Sequence, residues 1–191
     1  MNYIKIIENF VDRPELDFLN SWSLNNFRNN PNQYIDAFMD PDHPKSRFTT
    51  RLRQTENHAK KQITINYPDI AYNIQNRIIE NFGLQECKQP PPFYNGIVNG
   101  IGFGEGLITE HRDPVFFPNT YTLHCNIISQ KSESGGITVI DDVEYDINEG
   151  DLLCYLVSEV KHRVTLTKGN RNRILWVFGF CIDDKKRQEI I

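Results

Sequence analysis

Two histidines and an aspartate are the residues in this chain whose types and spacing could hold a metal. His111 and Asp113 lie two apart in LITEHRDPV, and His162 follows in EVKHRVTL. In a strand, residues i and i+2 face the same side, so His111 and Asp113 can point at one ion. Imidazole nitrogen and carboxylate oxygen suit iron(II), and three such donors hold one face of an octahedron while the other positions stay open. Zinc bound by two histidines and a carboxylate fits the same spacing. Arg171 and Arg173 open the apolar run ILWVFGF. An arginine turned inward there is costly unless an anion pairs with it, and a bound dicarboxylate would pair in bidentate geometry. An internal carboxylate or solvent would also serve, and strand alternation places both arginines on one face. Of the other histidines, His43 and His58 fall in a polar stretch. His124, in YTLHCN, is either a core residue or a pocket residue.

The elements that must position these groups change character along the chain. Tyr3 to Val11 reads as an opening strand. Asp12 then caps a helix with Pro14 in its first turn, and Phe18, Leu16, Leu19 and Trp22 form its apolar face. Residues 28–57, rich in Asn, Pro and charge, read as a long loop or lid. A second helix begins at Asp69 as its cap, repeats Ile70, Ile74, Ile78 and Phe82 every four residues, and ends at Gly83 in the left-handed position. Gln89-Pro90-Pro91-Pro92 is a rigid connector. From Phe93 onward short β-branched and aromatic runs alternate with Gly, Asn and Asp turns: YTLHCNIIS, GGITVI, VEYDI, DLLCYLV, HRVTL and RILWVFGFCI. That texture predicts a β-sandwich or barrel with the two helices packed outside. The expected organisation is one domain over 1–191, with 1–88 as helical support and lid and 93–183 as the β core.

Composition bounds the partners. The 191 residues contain 39% hydrophobic and 12% aromatic side chains, enough for one core. Net charge is −4, from 21 Lys+Arg against 25 Asp+Glu, which leaves no electrostatic footprint for nucleic acid or an anionic membrane surface. The basic cluster Arg47, Arg51, Arg53, Lys60, Lys61 reads as a solvated stretch. Cys87, Cys125, Cys154 and Cys181 are scattered without a Cys-x-x-Cys, which points to free thiols in a reducing cytoplasm. Cys125 and Cys154 sit in apolar runs and read as small core residues. No apolar run approaches a membrane span, and the N-terminus has no signal-peptide pattern.

Five segments, in order, resemble the iron(II)/2-oxoglutarate-dependent dioxygenases, particularly their compact prolyl-4-hydroxylase-like branch. They are IIENFVDRPELDFLNSW, GIGFGEGLITEHRD, SGGITVI, INEGDLLCY and HRVTLTKGNRNRILWVF. The resemblance implies a mainly β fold with supporting N-terminal helices, the double-stranded β-helix, a jelly-roll or cupin-like barrel. It implies His111, Asp113 and His162 as iron ligands, with O2 and 2-oxoglutarate as co-substrates. An arginine after His162 would anchor the distal carboxylate. The Gly-x-Arg match favours Arg171 and the Arg-Ile entry into the last strand favours Arg173, which is taken first. Asn126 and Tyr121 would add co-substrate contacts, and Asn99 stands near where the family often has a tyrosine. Halogenating relatives replace the aspartate with a small residue, so Asp113 implies hydroxylation or a related oxidation.

The activity so implied is hydroxylation of an unactivated C–H bond in a small molecule such as an amino acid or natural-product precursor. A peptidyl (prolyl-type) hydroxylase is the alternative within the class. Outside it stand a non-catalytic metal-binding β-barrel and a zinc hydrolase, whose base would be Glu105 or Glu110. Phe116, Phe117 and Arg53 are the candidate substrate contacts, with residues 28–60 and the Pro114–Pro118 loop as lids. The partner is a small molecule or peptide, with no nucleic acid or membrane.

Overall fold

The computed structural model describes residues 4–36, 47–50, 65–90 and 95–190. Strands dominate them. β1 (Ile4–Ile7) leads into α1 (Arg13–Asn29) and a 3-10 turn (Pro31–Gln33), then β2 (Tyr34–Asp36), β3 (Arg47–Thr50) and α2 (Asp69–Phe82). β4 (Ile97–Gly102), β5 (Ile108–His111), β6 (Tyr121–Gln130), β7 (Thr138–Ile140) and β8 (Val143–Tyr145) follow. β9 (Leu152–Leu156), β10 (His162–Val164), β11 (Arg173–Ile182) and α3 (Asp184–Ile190) complete the chain. The strands form a seven-stranded sheet, β1-β9-β6-β11-β4-β3-β2, and a four-stranded sheet, β5-β10-β7-β8. All recorded pairings are antiparallel. This is the mainly β, two-sheet arrangement that the strand texture predicts, and it accords with the jelly-roll the resemblance implies.

The large sheet is buried on both faces, and period-two alternation decides what each face carries. On β11, Ile174, Trp176, Phe178, Phe180 and Ile182 join the core formed with α1 and α2, while Leu175 and Val177 belong to a second cluster. Likewise Leu123, Cys125 and Ile127 of β6 meet the helical side, as do Leu152, Cys154 and Leu156 of β9. Leu16 and Leu19 of α1 and Ala71, Ile74, Ile78 and Phe82 of α2 supply the helical half. Each large apolar side chain so buried contributes about 1.5–3 kcal/mol. The second cluster includes Ile140 from the small sheet and Val98, Leu153, Tyr155, Leu175 and Val177 from the large one. The inner face of the large sheet therefore looks into the space where the site is built.

Local signals account for most boundaries. Asp12 and Glu15 form a reciprocal capping box, Glu15 N–H donating to Asp12 Oδ1 at 2.9 Å and Asp12 N–H to Glu15 Oε2 at 3.2 Å. Gly83 closes α2 at φ 63°. Asp69 is the first helical residue, not the cap; Pro68 holds that position and makes no side-chain cap bond. Among the described residues the opening strand spans Ile4–Ile7, shorter than its apolar run, since those are the residues that pair with β9. The stretch read as a lid contributes β2 and β3, which extend the large sheet beyond β4. Its remaining described part is helix end and 3-10 turn. Residues 37–46 and 51–64, together with Pro91 and Pro92 of the connector, lie outside the described residues. α3 had no counterpart in the sequence reading.

A buried polar cluster ties these additions together. Tyr34 Oη donates to Asn99 Oδ1 at 3.0 Å, and Asn99 Nδ2 donates to Ser23 Oγ at 3.0 Å. Asn99 thus serves packing between β4, α1 and β2. No described helix is long and apolar enough to cross a membrane.

Candidate metal centre

His111 and His162 sit directly opposite each other in the register between β5 and β10. Neighbouring strands of one small sheet, not opposite walls of a barrel, bring them together, and their rings are 4.3 Å apart. Asp113 lies past the end of β5, so strand alternation does not orient it. Its backbone N–H instead donates to the Val157 carbonyl at 3.0 Å. Ligand atoms of His111, Asp113 and His162 all lie within 4.8 Å of one another. His111 Nδ1 stands 2.8 Å from the Thr109 carbonyl, the partner that makes Nδ1 the protonated nitrogen and leaves Nε2 free to ligate. That Nε2 is 3.5 Å from Asp113 Oδ1.

The electrostatics match a cation site. Burial pushes the Asp113 carboxyl up, but the His111 hydrogen bond and the surrounding imidazoles outweigh it and hold it at about 2. Burial lowers His162 to about 4. Near neutral pH the group therefore offers a carboxylate and a neutral imidazole from these two residues, the forms that bind metal. The donor set fits iron(II) and fits zinc as well.

A cavity of about 200 Å³ surrounds the group. Thr49, Val98, Asn126, Tyr155, Arg173, Leu175 and Val177 reach it from the large sheet. Arg173 is buried; its Nε donates to the Gly136 carbonyl at 2.8 Å, while Nη2 has no hydrogen-bond partner among the described residues. Burial lowers its pKa to about 10. Gly136, at φ +70°, is shaped around this side chain: a Cβ there would stand 2.7 Å from Arg173 Cδ. Thr49 Oγ1 is buried in the same lining and likewise has no hydrogen-bond partner among the described residues. Asn126 Nδ2 donates to Tyr155 Oη at 3.2 Å.

The other expected residues are placed elsewhere. Arg171 precedes β11, so alternation does not pair it with Arg173, and its guanidinium meets Glu149 Oε1 at 2.7 Å on the surface. Tyr121 is not in the cavity lining; its Oη donates to Asp184 Oδ1 at 2.7 Å. Phe117 faces a separate cavity, where Lys88 Nζ sits 4.9 Å from its ring, and Phe116 is half-buried outside the lining. Arg53 lies outside the described residues. Glu110 pairs with Lys161 at 2.8 Å in the open, and Glu105 is exposed. Asp113 is the one carboxylate among the described lining residues. Sequence reasoning missed Tyr155, Thr49 and Thr138. Alternation along DLLCYLV, with Cys154 assigned to the core, would have turned Tyr155 toward the site. Nothing local marked Thr49, whose strand was read as loop.

No family model matches the chain, and no curated protein matches it in sequence. Its fold is the double-stranded β-helix of the 2-oxoglutarate/iron(II) oxygenases, by likeness to solved structures. It is similar to a viral collagen prolyl hydroxylase from Paramecium bursaria Chlorella virus-1 in complex with 2-oxoglutarate. The TM-score is 0.60 at 11% identity, covering 95% of this chain and 96% of that one. It is also similar to SnoN, a non-heme α-ketoglutarate-dependent epimerase from nogalamycin biosynthesis (TM-score 0.64, 9% identity, 95% and 78% covered). A Trichoplax adhaerens prolyl hydroxylase bound to a hypoxia-inducible-factor peptide fragment matches at TM-score 0.61 and 13% identity, over 98% and 87%.

Proposed function

We propose that this chain is an iron(II)- and 2-oxoglutarate-dependent oxygenase that hydroxylates a C–H bond. One observation carries the reading: a compact two-histidine, one-carboxylate group shares a cavity with a buried arginine whose Nη2 has no partner among the described residues. His111, Asp113 and His162 hold the metal. Arg173 anchors the distal carboxylate of 2-oxoglutarate, with Asn126, Tyr155 and Thr49 as the polar groups along the same wall. Arg171, neutralised by Glu149, takes no part. When bound, iron(II) and 2-oxoglutarate supply the activation of O2 that converts C–H to C–OH. The protein's share is to orient and to exclude water. Leu175, Val177 and Val98 keep the cavity apolar around Arg173, so its charge is little screened there and pairs strongly with a dicarboxylate.

The substrate is a small molecule such as an amino acid or natural-product precursor. The cavity, at about 200 Å³, is largely taken by the co-substrate, so the target carbon approaches at the mouth beside exposed His111. A peptide is the second reading, favoured by the prolyl hydroxylases among the structural relatives. A zinc hydrolase would need a base beside the metal, and neither Glu105 nor Glu110 lines the cavity.

The test is succinate formation from 2-oxoglutarate with iron(II), ascorbate and O2, in wild type and His111→Ala. Arg173→Ala and Arg171→Ala are then compared for 2-oxoglutarate affinity. Succinate should form only with His111, and affinity should fall for Arg173→Ala alone. A wild type that neither binds nor turns over 2-oxoglutarate, even slowly without substrate, would overturn the assignment.

A further inference from the structure

We propose that His124 is the positioning residue for Asp113: its Nε2, 3.4 Å from Asp113 Oδ2, holds that oxygen electrostatically and leaves Oδ1 as the single oxygen offered to the metal. The inference rests on reading His111, Asp113 and His162 as ligands. Asp113 needs such a partner because it follows β5 in irregular backbone, with its side chain 23% exposed and no sheet packing to set its rotation. Its two oxygens are already differentiated. Oδ1 stands 3.5 Å from His111 Nε2, and Oδ2 stands 3.4 Å from His124 Nε2.

His124 is well placed to impose that choice. It lies on β6, a central strand paired on one side with β9 (opposite Tyr155) and on the other with β11 (opposite Gly179). Its backbone is therefore among the most constrained in the fold, and its side chain is 10% exposed. The same face of the sheet carries the apolar side chains Ile128, Leu153 and Val177. An imidazole in such a wall is costly unless its polar atoms are used, and packing alone would be met by leucine. His124 is also outside the group of three whose ligand atoms come within 4.8 Å of one another. It stands on the Oδ2 side of the carboxylate, away from Oδ1 and His111 Nε2. Partners of this kind fix a ligand's orientation, and their loss costs roughly 10–100-fold in metal affinity.

The chemistry makes a geometric prediction about substitutes. The side-chain nitrogen of glutamine reaches about where histidine Nε2 lies, whereas asparagine reaches only about as far as Nδ1. Cobalt(II) binding to the whole chain, followed by its visible absorption, would be measured for wild type, His124→Gln, His124→Asn and His124→Leu. Metal-free melting temperatures would be recorded alongside. The Leu and Asn variants should lose roughly 10–100-fold in cobalt affinity and shift the cobalt bands, with melting temperature held. The Gln variant should restore both. Equal cobalt binding in all four proteins would overturn the proposal, since His124 would then only fill space. X-ray absorption showing three imidazoles on cobalt in wild type would overturn it differently, by making His124 a ligand. Wild type that binds no cobalt would remove the metal centre itself. Cobalt binding that behaves as proposed without succinate formation would sink the oxygenase reading and leave this one standing.

Discussion

Replacing Arg173 with methionine should make the ligand-free protein more stable while abolishing co-substrate binding. The guanidinium is buried, donates one hydrogen bond to Gly136 and leaves Nη2 unmatched among the described residues. Burial lowers its pKa from the ordinary 12.5 to about 10. A base whose folded pKa is depressed binds its proton less well in the folded state, so the cost is fully present below pH 10 and relieved only as pH rises toward 12.5. At about 1.4 kcal/mol per pKa unit, the cost at neutral pH is on the order of 3 kcal/mol. Methionine fills similar space without charge but leaves the Gly136 carbonyl without its donor, which costs about 1 kcal/mol. The net gain is about 2 kcal/mol, or about 4–8 °C in melting temperature for a chain of this size. Thermal unfolding of metal-free protein reads it directly. Wild type should then gain about 2.7 kcal/mol from 2-oxoglutarate with metal at a hundredfold excess over Kd, and Arg173→Met nothing. A variant that unfolds below wild type without ligand would refute the reasoning, because the guanidinium would then already be satisfied inside the protein.

Three further outcomes follow from the same geometry. Gly136→Ala puts a methyl 2.7 Å from Arg173 Cδ at φ +70°; it should cost about 1–3 kcal/mol in stability and weaken 2-oxoglutarate binding by displacing the anchor, as isothermal titration would show. Tyr34, raised to about 12 by burial, holds its proton more tightly when folded, so stability should fall as pH rises through 10 to 12. About 1.4 kcal/mol should be gone by about pH 11, and urea midpoints for wild type and Tyr34→Phe should converge in slope only if other buried tyrosines such as Tyr67, also raised by burial, dominate. Asp12→Ala removes the side-chain half of the capping box on α1, the bond from Glu15 N–H to Asp12 Oδ1, and should lower stability by about 1 kcal/mol, seen as a shifted urea midpoint at unchanged slope.

Much of the candidate site was legible because it is written in short-range patterns. His-x-Asp is a local spacing, and the β-branched runs around His162 and Arg173 announce strands wherever they pack. The choice between Arg171 and Arg173 was not legible, because it depends on where β11 begins. That start is set by pairing of Arg173 with Gly102 across β4. Tyr121 misled for a related reason: it opens β6, and α3, unforeseen, brings Asp184 to its hydroxyl. β2 and β3 were hidden in an Asn- and Pro-rich stretch whose strand character comes from joining an existing sheet edge, not from propensity.

The sequence by itself determined the alternation that gives each large-sheet strand a helical face and a cavity face. It also determined the helix caps at Asp12 and Gly83 and the His111-x-Asp113 spacing, since each depends on residues a few positions apart. Tertiary structure alone decided that His111 and His162 are cross-strand neighbours, that Arg173 rather than Arg171 is buried, and that His124 Nε2 stands 3.4 Å from Asp113 Oδ2. Those facts rest on register between strands far apart in the chain. A shift of one residue would turn every side chain to the opposite face, and no local pattern records which register the packed core selects.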